Sequence, residues 1–388
     1  MLKNMQRTTM SASAYKGAHM KKVLFLIHDL GHGGAEKVLV NLVNNMDHTK
    51  FDITVIALFG GGVNEQFLAP HIKLINCFPK ALPGNSHLMK LLSPPQLHRL
   101  LIKETYDIEA AYLEGPSARV VSGCTDPRTK LVSWIHIEQH SAEKAAASFR
   151  SVSEAKRCYS RFQKIVCVSE SVRQDFQEAL QIDVPHVVLY NTNETAKILF
   201  LKDEPVDLAF SERELKLVGV GKVLKNKGFD RLARIHVRLK KQGYPVHTYI
   251  LGIGPERENI EAYLRQEHCQ DSFTFLGYQT NPYKYISKCD LFVCASFFEG
   301  FSTAATEALV LGIPVITTRV SGMEEMLGSN GEYGVITEND EDALYRGIKD
   351  LLVAPGRLEY YRKKAKDRGS HFSTEQTVCA VEKMLEQL

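Results

Sequence analysis

The stretch that decides the fold is Asp290–Thr318, DLFVCASFFEGFSTAATEALVLGIPVITT. It starts with a short apolar run, Leu291–Ala295, which is typical of a strand buried on both faces. A polar turn with glycine follows, and over Thr303–Leu311 apolar residues recur at helical spacing up to Gly312, a helix stop signal. Pro314–Ile316 predicts the next strand. The stretch therefore predicts a βαβ unit, whose first turn lies at the carboxyl edge of a parallel sheet, where such folds bind ligands.

Two carboxylates stand in this unit: Glu299 in the turn and Glu307 in the helix, with seven residues between them. The backbone N–H groups of 300–303 point out of the predicted helix start, where they and the helix dipole favour a phosphate. A carboxylate only accepts hydrogen bonds, so it suits sugar hydroxyls better than phosphate oxygens. The pairing indicates a ligand that is part phosphate and part sugar, such as a nucleotide-sugar. From spacing alone, two solvated surface glutamates are the alternative.

Short apolar runs alternate with helical patterns in two blocks, which a hydrophilic linker at Glu194–Glu214 separates. This alternation predicts an α/β fold of two doubly wound, Rossmann-like domains that face a cleft. We place the N-terminal domain at 20–193, the C-terminal domain at 194–372 and a last helix at 373–388. The other predicted strands are Val23–Ile27, Phe51–Leu58, Ile72–Ile75, Ile108–Leu113, Lys130–Ile135, Ile165–Val168, Val187–Asn191, Leu217–Val220, His247–Leu251, Phe273–Leu276 and Tyr333–Ile336.

Length and composition narrow the class of protein. The chain has 388 residues, more than one hydrophobic core usually supports, so two domains are expected. Its net charge of +3 is too small to indicate a nucleic-acid binder. No apolar run reaches the ~18 residues of a membrane span, and the N-terminus lacks the apolar core of a signal peptide. We therefore expect a cytoplasmic protein.

The eight cysteines are scattered, with neither a C-x-x-C pair nor histidines at zinc-binding spacing. Cys167, Cys289 and Cys294 lie in apolar runs and are predicted to be reduced core residues. Residues 1–19 have no usable periodicity and are predicted to be a tag or a disordered leader, with Met20 as the native start.

Two further loops are candidates for phosphate contacts. Gly33 and Gly34 stand in a glycine turn between a strand and an amphipathic helix, but Glu36 takes the place of the third glycine of the G-x-G-x-x-G fingerprint. A simple tight turn is the alternative there. Lys222 and Lys227 flank a loop before a helix, where ammonium groups can neutralise a diphosphate as point charges. A solvated lysine-rich turn is the alternative for this second loop.

The segment Phe78–Lys103 interleaves basic residues with leucines. Such a segment could rest on a membrane surface. Pro94 and Pro95 interrupt the pattern, however, so a solvated helix with a buried leucine face is favoured.

The run EGFSTAATE, followed by ALVLGIPVITT, resembles the E-x7-E segment of retaining GT-B glycosyltransferases, and specifically of glycosyltransferase family 4. The likeness extends from Lys21 to about Leu352. It implies the GT-B fold, in which the last helix crosses back onto the first domain. It also implies transfer of a sugar from a nucleoside diphosphate to an acceptor hydroxyl, with no metal or other cofactor. In that family the first glutamate, here Glu299, faces the donor sugar, and the second, here Glu307, holds the ribose.

The same resemblance assigns the other site residues. It places the glycine loop opposite the donor diphosphate, the nucleotide base near Gly277, and the histidine of WIHIEQH beside the donor sugar and acceptor. The implied catalytic residues are Glu299, His136 and Lys227. The implied donor-binding residues are Gly33, Gly34, Lys222, Lys227, Gly277, Tyr278, Gly300, Phe301, Ser302, Thr303 and Glu307.

The chain departs from the family pattern at two places. The family generally carries arginine at the position of Lys222; lysine keeps the charge but loses bidentate geometry, which predicts a weaker or differently oriented phosphate contact. Proline usually follows the asparagine equivalent to Asn191, whereas this chain has TNE at 192–194, which leaves the hinge geometry open.

The sequence thus predicts a retaining hexosyl- or N-acetylhexosaminyltransferase that uses a nucleoside-diphosphate sugar, by resemblance a UDP-sugar. The implied acceptor is a glycan, lipid-linked or protein-linked, in surface polysaccharide or glycoconjugate assembly. Peripheral contact with the inner face of the cell membrane is implied as well.

Three alternatives stay open. The chain could be a donor-binding, non-catalytic partner subunit, although such proteins tend to lose a site glutamate or lysine that this chain keeps. It could be a nucleotide-sugar epimerase or phosphorylase on the same fold, which would form product from donor alone. Glu299 could act as a base or nucleophile as in glycosidases, but that role needs a paired acid that the sequence does not reveal.

Overall fold

Two parallel sheets organise the chain in the computed structural model, which describes residues 20–80 and 89–388. The first sheet has the strand order β3-β2-β1-β4-β5-β6-β7 and the second β10-β9-β8-β11-β12-β13. The predicted leader and part of the segment Phe78–Lys103 lie outside the described residues. The strands are β1 Lys21–Ile27, β2 Phe51–Phe59, β3 Lys73–Phe78, β4 Ile108–Ala111, β5 Lys130–Ile135, β6 Lys164–Cys167, β7 His186–Val188, β8 Leu215–Val220, β9 Val246–Leu251, β10 Phe273–Gly277, β11 Leu291–Cys294, β12 Val315–Thr318 and β13 Val335–Thr337.

Helices connect these strands, as parallel neighbours require. Short 3-10 turns lie at Glu65–Phe67, Lys225–Lys227, Gln270–Ser272 and Ser370–Phe372. The described α-helices are α1 Gly34–Asn45, α2 Pro94–Leu101, α3 Pro116–Val121, α4 Ala142–Ala145, α5 Val152–Tyr159, α6 Glu170–Leu180, α7 Thr195–Leu201, α8 Phe229–Lys241, α9 Arg257–Gln266, α10 Tyr283–Ile286, α11 Thr303–Val310, α12 Met323–Leu327, α13 Glu341–Val353, α14 Arg357–Gly369 and α15 Thr374–Glu386.

Both sheets are doubly wound, since each order reverses next to its first strand, at β1/β4 and at β8/β11. The predicted α/β class with two Rossmann-like domains is confirmed. Every predicted strand overlaps an observed one, because strands covered on both faces appear in the sequence as short continuous apolar runs. The predicted ends are less accurate. Strands β4 and β7 stop before Leu113 and Asn191, and the Asn191 side chain donates to the carbonyl of Phe301 in the other domain at 3.0 Å.

Pro94 and Pro95 do interrupt the segment Phe78–Lys103, since residues 90–93 are not helical and a new helix starts at the first proline. Helix α2 begins at Pro94, because the N–H that proline lacks would have no intrahelical partner in the first turn. A capping contact precedes it, in which the backbone N–H of Ser93 donates to the side-chain oxygen of Gln96 at 2.8 Å. The helix buries Leu97 and Leu101, so the predicted leucine face is present.

The last helix returns to the N-terminal domain. In α15, Val381 and Leu385 join the hydrophobic core formed by β1, β2 and α1. Lys21 donates through Nζ to the carbonyl of Leu385 at 3.0 Å, and the Glu382 carboxylate accepts from the backbone N–H of Asp47 at 2.6 Å. The end of the chain is therefore tied to the first domain, which fixes the second domain across the cleft. Part of the predicted linker is also helical, as α7.

The two domains approach each other closely at Gly300. A Cβ atom on this glycine would lie 1.7 Å from the carbonyl oxygen of His136, so only glycine fits. Nearby, the Glu325 carboxylate accepts from the backbone N–H of Glu170, at the start of α6, at 2.7 Å. The glutamate of one domain thus lies at the positive end of a helix of the other.

Candidate active site

A cavity of about 630 Å³ lies in the cleft between the two sheets, and its size is within the range usual for small-molecule sites. All predicted site residues except Gly277 line it. Gly277 lies at the end of β10, where its φ of 70° requires glycine and its carbonyl accepts from the backbone N–H of Gly252 at 2.7 Å. The chain therefore brings residues from five separated segments to one place.

Glu299 lies in the loop after β11, beside two donors. Its Oε1 is 2.7 Å from Nζ of Lys227 and accepts a hydrogen bond from the Ser296 hydroxyl at 2.6 Å. Lys227 can approach because Gly228 follows it: Gly228 has a φ of 66°, and a Cβ there would lie 1.9 Å from the carbonyl oxygen of Ala295. The result is a fixed carboxylate–ammonium pair at the carboxyl end of β11.

A buried arginine, Arg231 of α8, holds the backbone that leads to Glu299. Its guanidinium donates to the carbonyls of Ala295 and Ser296, both at 2.7 Å, and to the side chain of Asn339 at 2.9 Å. It also stacks on the ring of Phe297, with 3.9 Å to the ring centroid. Several hydrogen bonds from one planar guanidinium group restrict the loop more than a single hydrogen bond would.

The start of helix α11 faces the glycine loop of the other domain. The Ser302 hydroxyl caps the helix by accepting from the backbone N–H of Ala305 at 3.3 Å. Across the cleft, a Cβ on Gly34 would lie 3.4 Å from the hydroxyl of Thr303. The N-terminal end of this helix and the glycine loop thus enclose a space suited to an anion.

Glu307 is the second carboxylate of the cavity and is almost fully buried. Its Oε1 lies 2.5 Å from Nζ of Lys37, in α1 of the N-terminal domain, and accepts a hydrogen bond from the Tyr283 hydroxyl at 3.2 Å. Burial alone would lower the pKa of Lys37, but the charges and hydrogen bonds of Glu307 and Tyr283 together outweigh it and raise that pKa well above its ordinary value. Lys37 is therefore charged, and it compensates the buried carboxylate.

His136 follows β5 and lines the cavity from the N-terminal side. Its backbone N–H donates to the Glu114 carboxylate at 3.0 Å, whereas its ring Nε2 has no hydrogen-bond partner among the residues that the structure describes. Burial lowers the pKa of His136 to about 4. The Nε2 atom is itself buried, and the imidazole, which is neutral near pH 7, adds no positive charge to the cavity.

Lys222 completes the positive side of the cavity from the loop after β8. It is exposed, and within residues 20–80 and 89–388 it has no ion-pair partner. One group of three described side chains, His98, Glu109 and Cys124, has ligand atoms within 4.8 Å of one another and could hold a metal. None of the three lines the cavity.

Family models match both halves of the chain. A model described as glycosyltransferase family 4 matches residues 32–196, and one described as glycosyl transferases group 1 matches residues 202–368. The chain belongs to the family 4 glycosyltransferases of the GT-B type.

One of two curated relatives matches this glycosyltransferase over nearly its whole length, and the other over little more than a third of it. The N-acetylgalactosamine-N,N'-diacetylbacillosaminyl-diphospho-undecaprenol 4-alpha-N-acetylgalactosaminyltransferase of Campylobacter jejuni is 26% identical over 373 residues, which cover 91% of this chain and 96% of that protein. The lipopolysaccharide core biosynthesis glycosyltransferase LpsD of Rhizobium meliloti is 29% identical over 143 residues, 37% of this chain and 40% of that protein.

Solved structures agree on the fold. HepE of Anabaena, in complex with UDP and glucose, matches with a TM-score of 0.74 at 18% identity, over 95% of this chain and 100% of that chain. Sucrose-phosphate synthase of Thermosynechococcus elongatus matches with a TM-score of 0.73 at 16% identity, over 95% and 98%. In the described part of this glycosyltransferase, no helix has the length and apolar character needed to cross a bilayer.

Sequence reasoning missed four residues that hold the site of this glycosyltransferase: Lys37, Arg231, Tyr283 and Ser296. Lys37 lies beside Glu36 at the start of an amphipathic helix and Arg231 in a helix rich in basic residues, so both side chains look solvated in the sequence. The only available signal was position, because Lys37 follows the glycine turn and Arg231 follows Gly228 by less than one helical turn.

Proposed function

We propose that this glycosyltransferase is a retaining enzyme that transfers a hexose or N-acetylhexosamine from a UDP-sugar to an acceptor hydroxyl. The observation that carries the proposal is the arrangement in one cavity of the Glu299–Lys227 pair, the start of α11 and the buried Glu307. Cations and a helix start suit a diphosphate, whereas fixed carboxylates suit the hydroxyls of sugar and ribose. A nucleotide-sugar offers all of these groups.

In this proposal the positive groups stabilise the leaving diphosphate. As the bond between the anomeric carbon and the phosphate oxygen breaks, negative charge grows on the diphosphate, next to Lys227, Lys222 and the N–H groups at the start of α11. Preorganised groups of this kind are worth a factor of about 10² to 10³ each in rate. Since these groups supply the positive charge, we propose that no divalent metal is required.

The carboxylates orient the donor. Glu299 accepts hydrogen bonds from sugar hydroxyls and Glu307 from the ribose, and a hydrogen bond to a charged group is worth roughly 1.5–3 kcal/mol. The acceptor oxygen then bonds to the anomeric carbon on the face from which the diphosphate leaves, and a diphosphate oxygen takes the acceptor proton. This route retains the anomeric configuration. Neutral His136 would line the site beside the sugar and the acceptor.

The relatives support the class of acceptor. The Campylobacter jejuni protein is named for transfer to a diphospho-undecaprenol-linked sugar, and the Rhizobium meliloti protein for lipopolysaccharide core biosynthesis. By analogy, we propose that this enzyme extends a lipid-linked or protein-linked glycan in surface polysaccharide or glycoconjugate assembly. It would work in the cytoplasm at the inner membrane face, where exposed Leu100, Arg99 and Lys103 on and beside α2 could contact lipid.

A panel of nucleotide-sugars tests the proposal directly. Each donor is incubated with EDTA, with and without candidate glycan acceptors, and the release of nucleoside diphosphate is measured. We expect release from a UDP-sugar that rises when an acceptor is added. Release that needs a divalent ion would contradict the metal-independent route.

Two other results would favour the alternatives. A new nucleotide-sugar formed from the donor alone would identify an epimerase. Saturable donor binding without turnover across a broad acceptor panel would favour a donor-binding partner subunit. No binding of any nucleotide-sugar would overturn the assignment of the cavity.

A further inference from the structure

The two oxygens of the buried Glu307 carboxylate have different surroundings. Oε1 receives both contacts, from the ammonium of Lys37 at 2.5 Å and from the hydroxyl of Tyr283 at 3.2 Å. Oε2 makes no hydrogen bond with any residue that the structure describes, and Glu307 lines the cavity. The carboxylate is therefore held through one oxygen, and the other oxygen can accept from a ligand.

The three side chains also restrict one another. The Lys37 ammonium lies 5.1 Å from the ring centroid of Tyr283, so the ring and the carboxylate together hold the charge. Burial, followed by the charge of Glu307, raises the pKa of Tyr283, which keeps its hydroxyl protonated and able to donate. Each group thus has a defined protonation state and direction at neutral pH.

We propose that Lys37 and Tyr283 are positioning residues for the donor ribose. They hold Oε1 of Glu307 so that Oε2 alone is presented to the ribose hydroxyls. This inference rests on the proposed function, which assigns Glu307 to the ribose, and it adds the two residues that set the direction of its hydrogen bond.

A freely rotating carboxylate would lose side-chain entropy each time a nucleotide bound. A carboxylate held in advance loses less, so the same hydrogen bond contributes more to affinity. Because Lys37 belongs to α1 and Glu307 to α11, the anchor is complete only when the two domains lie close together. Ribose recognition in this chain therefore depends on the closed cleft.

The alternative is that the Lys37–Glu307 pair only joins the domains. If the pair had only that role, removing it would lower the stability of the protein, or would weaken the binding of every nucleotide by the same factor. A positioning role predicts a change that depends on the ribose hydroxyls. The ratio of affinities for ribo- and deoxynucleotides separates the two roles.

The experiment measures dissociation constants of UDP and its 2′-deoxy and 3′-deoxy analogues by calorimetry. For the wild type we expect UDP to bind at least about tenfold more tightly than at least one analogue, since a hydrogen bond to a carboxylate is lost. In Lys37→Met that ratio should fall to about threefold or less. In Tyr283→Phe it should fall less, because the ion pair remains. Lys50→Met, which removes an exposed lysine paired with Glu386, is the control that should keep the wild-type ratio.

A double-mutant cycle shows whether Lys37 acts through Glu307. In a Glu307→Gln background, Lys37→Met should leave the ratio unchanged, because the group that it positions has gone. If Lys37→Met alone unfolds, Tyr283→Phe still tests the positioning role, because it removes one contact to Oε1 of Glu307 and keeps the ion pair.

Equal weakening of UDP and both deoxy analogues by Lys37→Met would overturn the positioning role and leave the proposed function intact. The conclusion would be the same if Lys37→Met bound UDP and both analogues as the wild type does, since the ratio would again be unchanged. A wild type that binds UDP no better than either analogue, or does not bind it at all, would instead contradict the assignment of Glu307 to the ribose, and the inference would fail with it.

Discussion

Glu299 and Glu307 each meet a lysine ammonium, but the two lysines come from different parts of the molecule. Lys227, the partner of Glu299, belongs to the same domain and reaches β11 through the glycine turn at Gly228. Lys37, the partner of Glu307, comes from the other domain. The first pair is complete within one domain, whereas the second depends on how the domains sit together.

This difference separates two tasks in the proposed reaction. A pair held within one domain suits chemistry, since its geometry does not depend on how the domains sit together. A pair shared between the domains suits binding, because it fixes a carboxylate in the cleft before the donor enters. We therefore expect changes at Glu299 and Lys227 to affect turnover, and changes at Glu307 and Lys37 to affect affinity.

The largest effect is expected from Lys227→Met, which removes the ammonium beside Glu299 and the leaving diphosphate. The turnover number for UDP release should fall by about 10² to 10³. Lys225→Met is the matched control, because Lys225 is an exposed lysine of the same 3-10 turn and should keep wild-type turnover. If both variants turned over within about twofold of the wild type, the intradomain pair would have no part in transfer.

Gly300→Ala tests the contact between the domains. The added Cβ would lie 1.7 Å from the His136 carbonyl, so the domains must separate or the loop must shift. Forced overpacking of this kind costs up to about 3 kcal/mol, and we expect a lower melting temperature together with weaker UDP binding. In Gly34→Ala the added Cβ would lie 3.4 Å from its nearest neighbour, the hydroxyl of Thr303. The melting temperature of this variant should therefore change much less. Equal melting temperatures for the two variants would contradict the close approach.

A buried carboxylate outside the cavity extends the comparison, because Glu109 is paired with a histidine rather than a lysine. His98 Nε2 lies 2.8 Å from Glu109 Oε2. Burial alone would lower the pKa of His98, but its hydrogen bonds with Cys124 and Glu109 and the Glu109 charge together raise it to about 9. Because this pKa lies above the ordinary 6.5, protonated His98 stabilises the folded state. That stabilisation is complete below about pH 6.5 and is lost as the pH rises through 9.

Urea unfolding at pH 6.5 and pH 9.5 measures this loss. Between pH 6.5 and pH 9.5, we expect the free energy of unfolding of the wild type to fall by about 2 to 3 kcal/mol more than that of His98→Gln. The size of the shift in the pKa of His98 sets the size of this loss. An identical change in wild type and His98→Gln would contradict the histidine pairing.

The smallest effect is expected from Lys222→Arg. Lys222 is exposed and has no ion-pair partner in the described part of the chain, so a diphosphate would meet it in partly screened surroundings. Arginine adds a bidentate fork, and we expect UDP to bind about threefold more tightly, with the gain shrinking at high salt. Weaker binding by Lys222→Arg would show that the loop is arranged for a point charge.

The sequence predicted the strands well because both sheets are parallel and buried, so that apolar runs such as Val23–Ile27 mark them without ambiguity. Helix starts were harder, as Pro94 shows: the same residue breaks a helix interior and begins a helix. Ser302 could be placed because its role as the cap of α11 depends on local turn chemistry.

Of the two lysines that pair with Glu299 and Glu307, the sequence predicted only the first as a site residue. Lys227 was found because it lies in a glycine turn before a helix, which is a local pattern. The contact between Lys37 and Glu307 joins residues 270 positions apart, and no local periodicity reports such a pairing. Tyr283 and Arg231 were missed for the same reason, since each acts through a contact that only the folded chain creates.

The most direct test of this division of tasks compares Glu299→Gln with Glu307→Gln. For both variants, the dissociation constant of UDP and the turnover number for UDP release are measured in the same buffer. We predict that Glu299→Gln lowers turnover by at least about tenfold and binds UDP like the wild type, whereas Glu307→Gln weakens UDP binding by about tenfold or more. Normal turnover in Glu299→Gln, or UDP binding weakened by Glu299→Gln and unchanged by Glu307→Gln, would contradict the account.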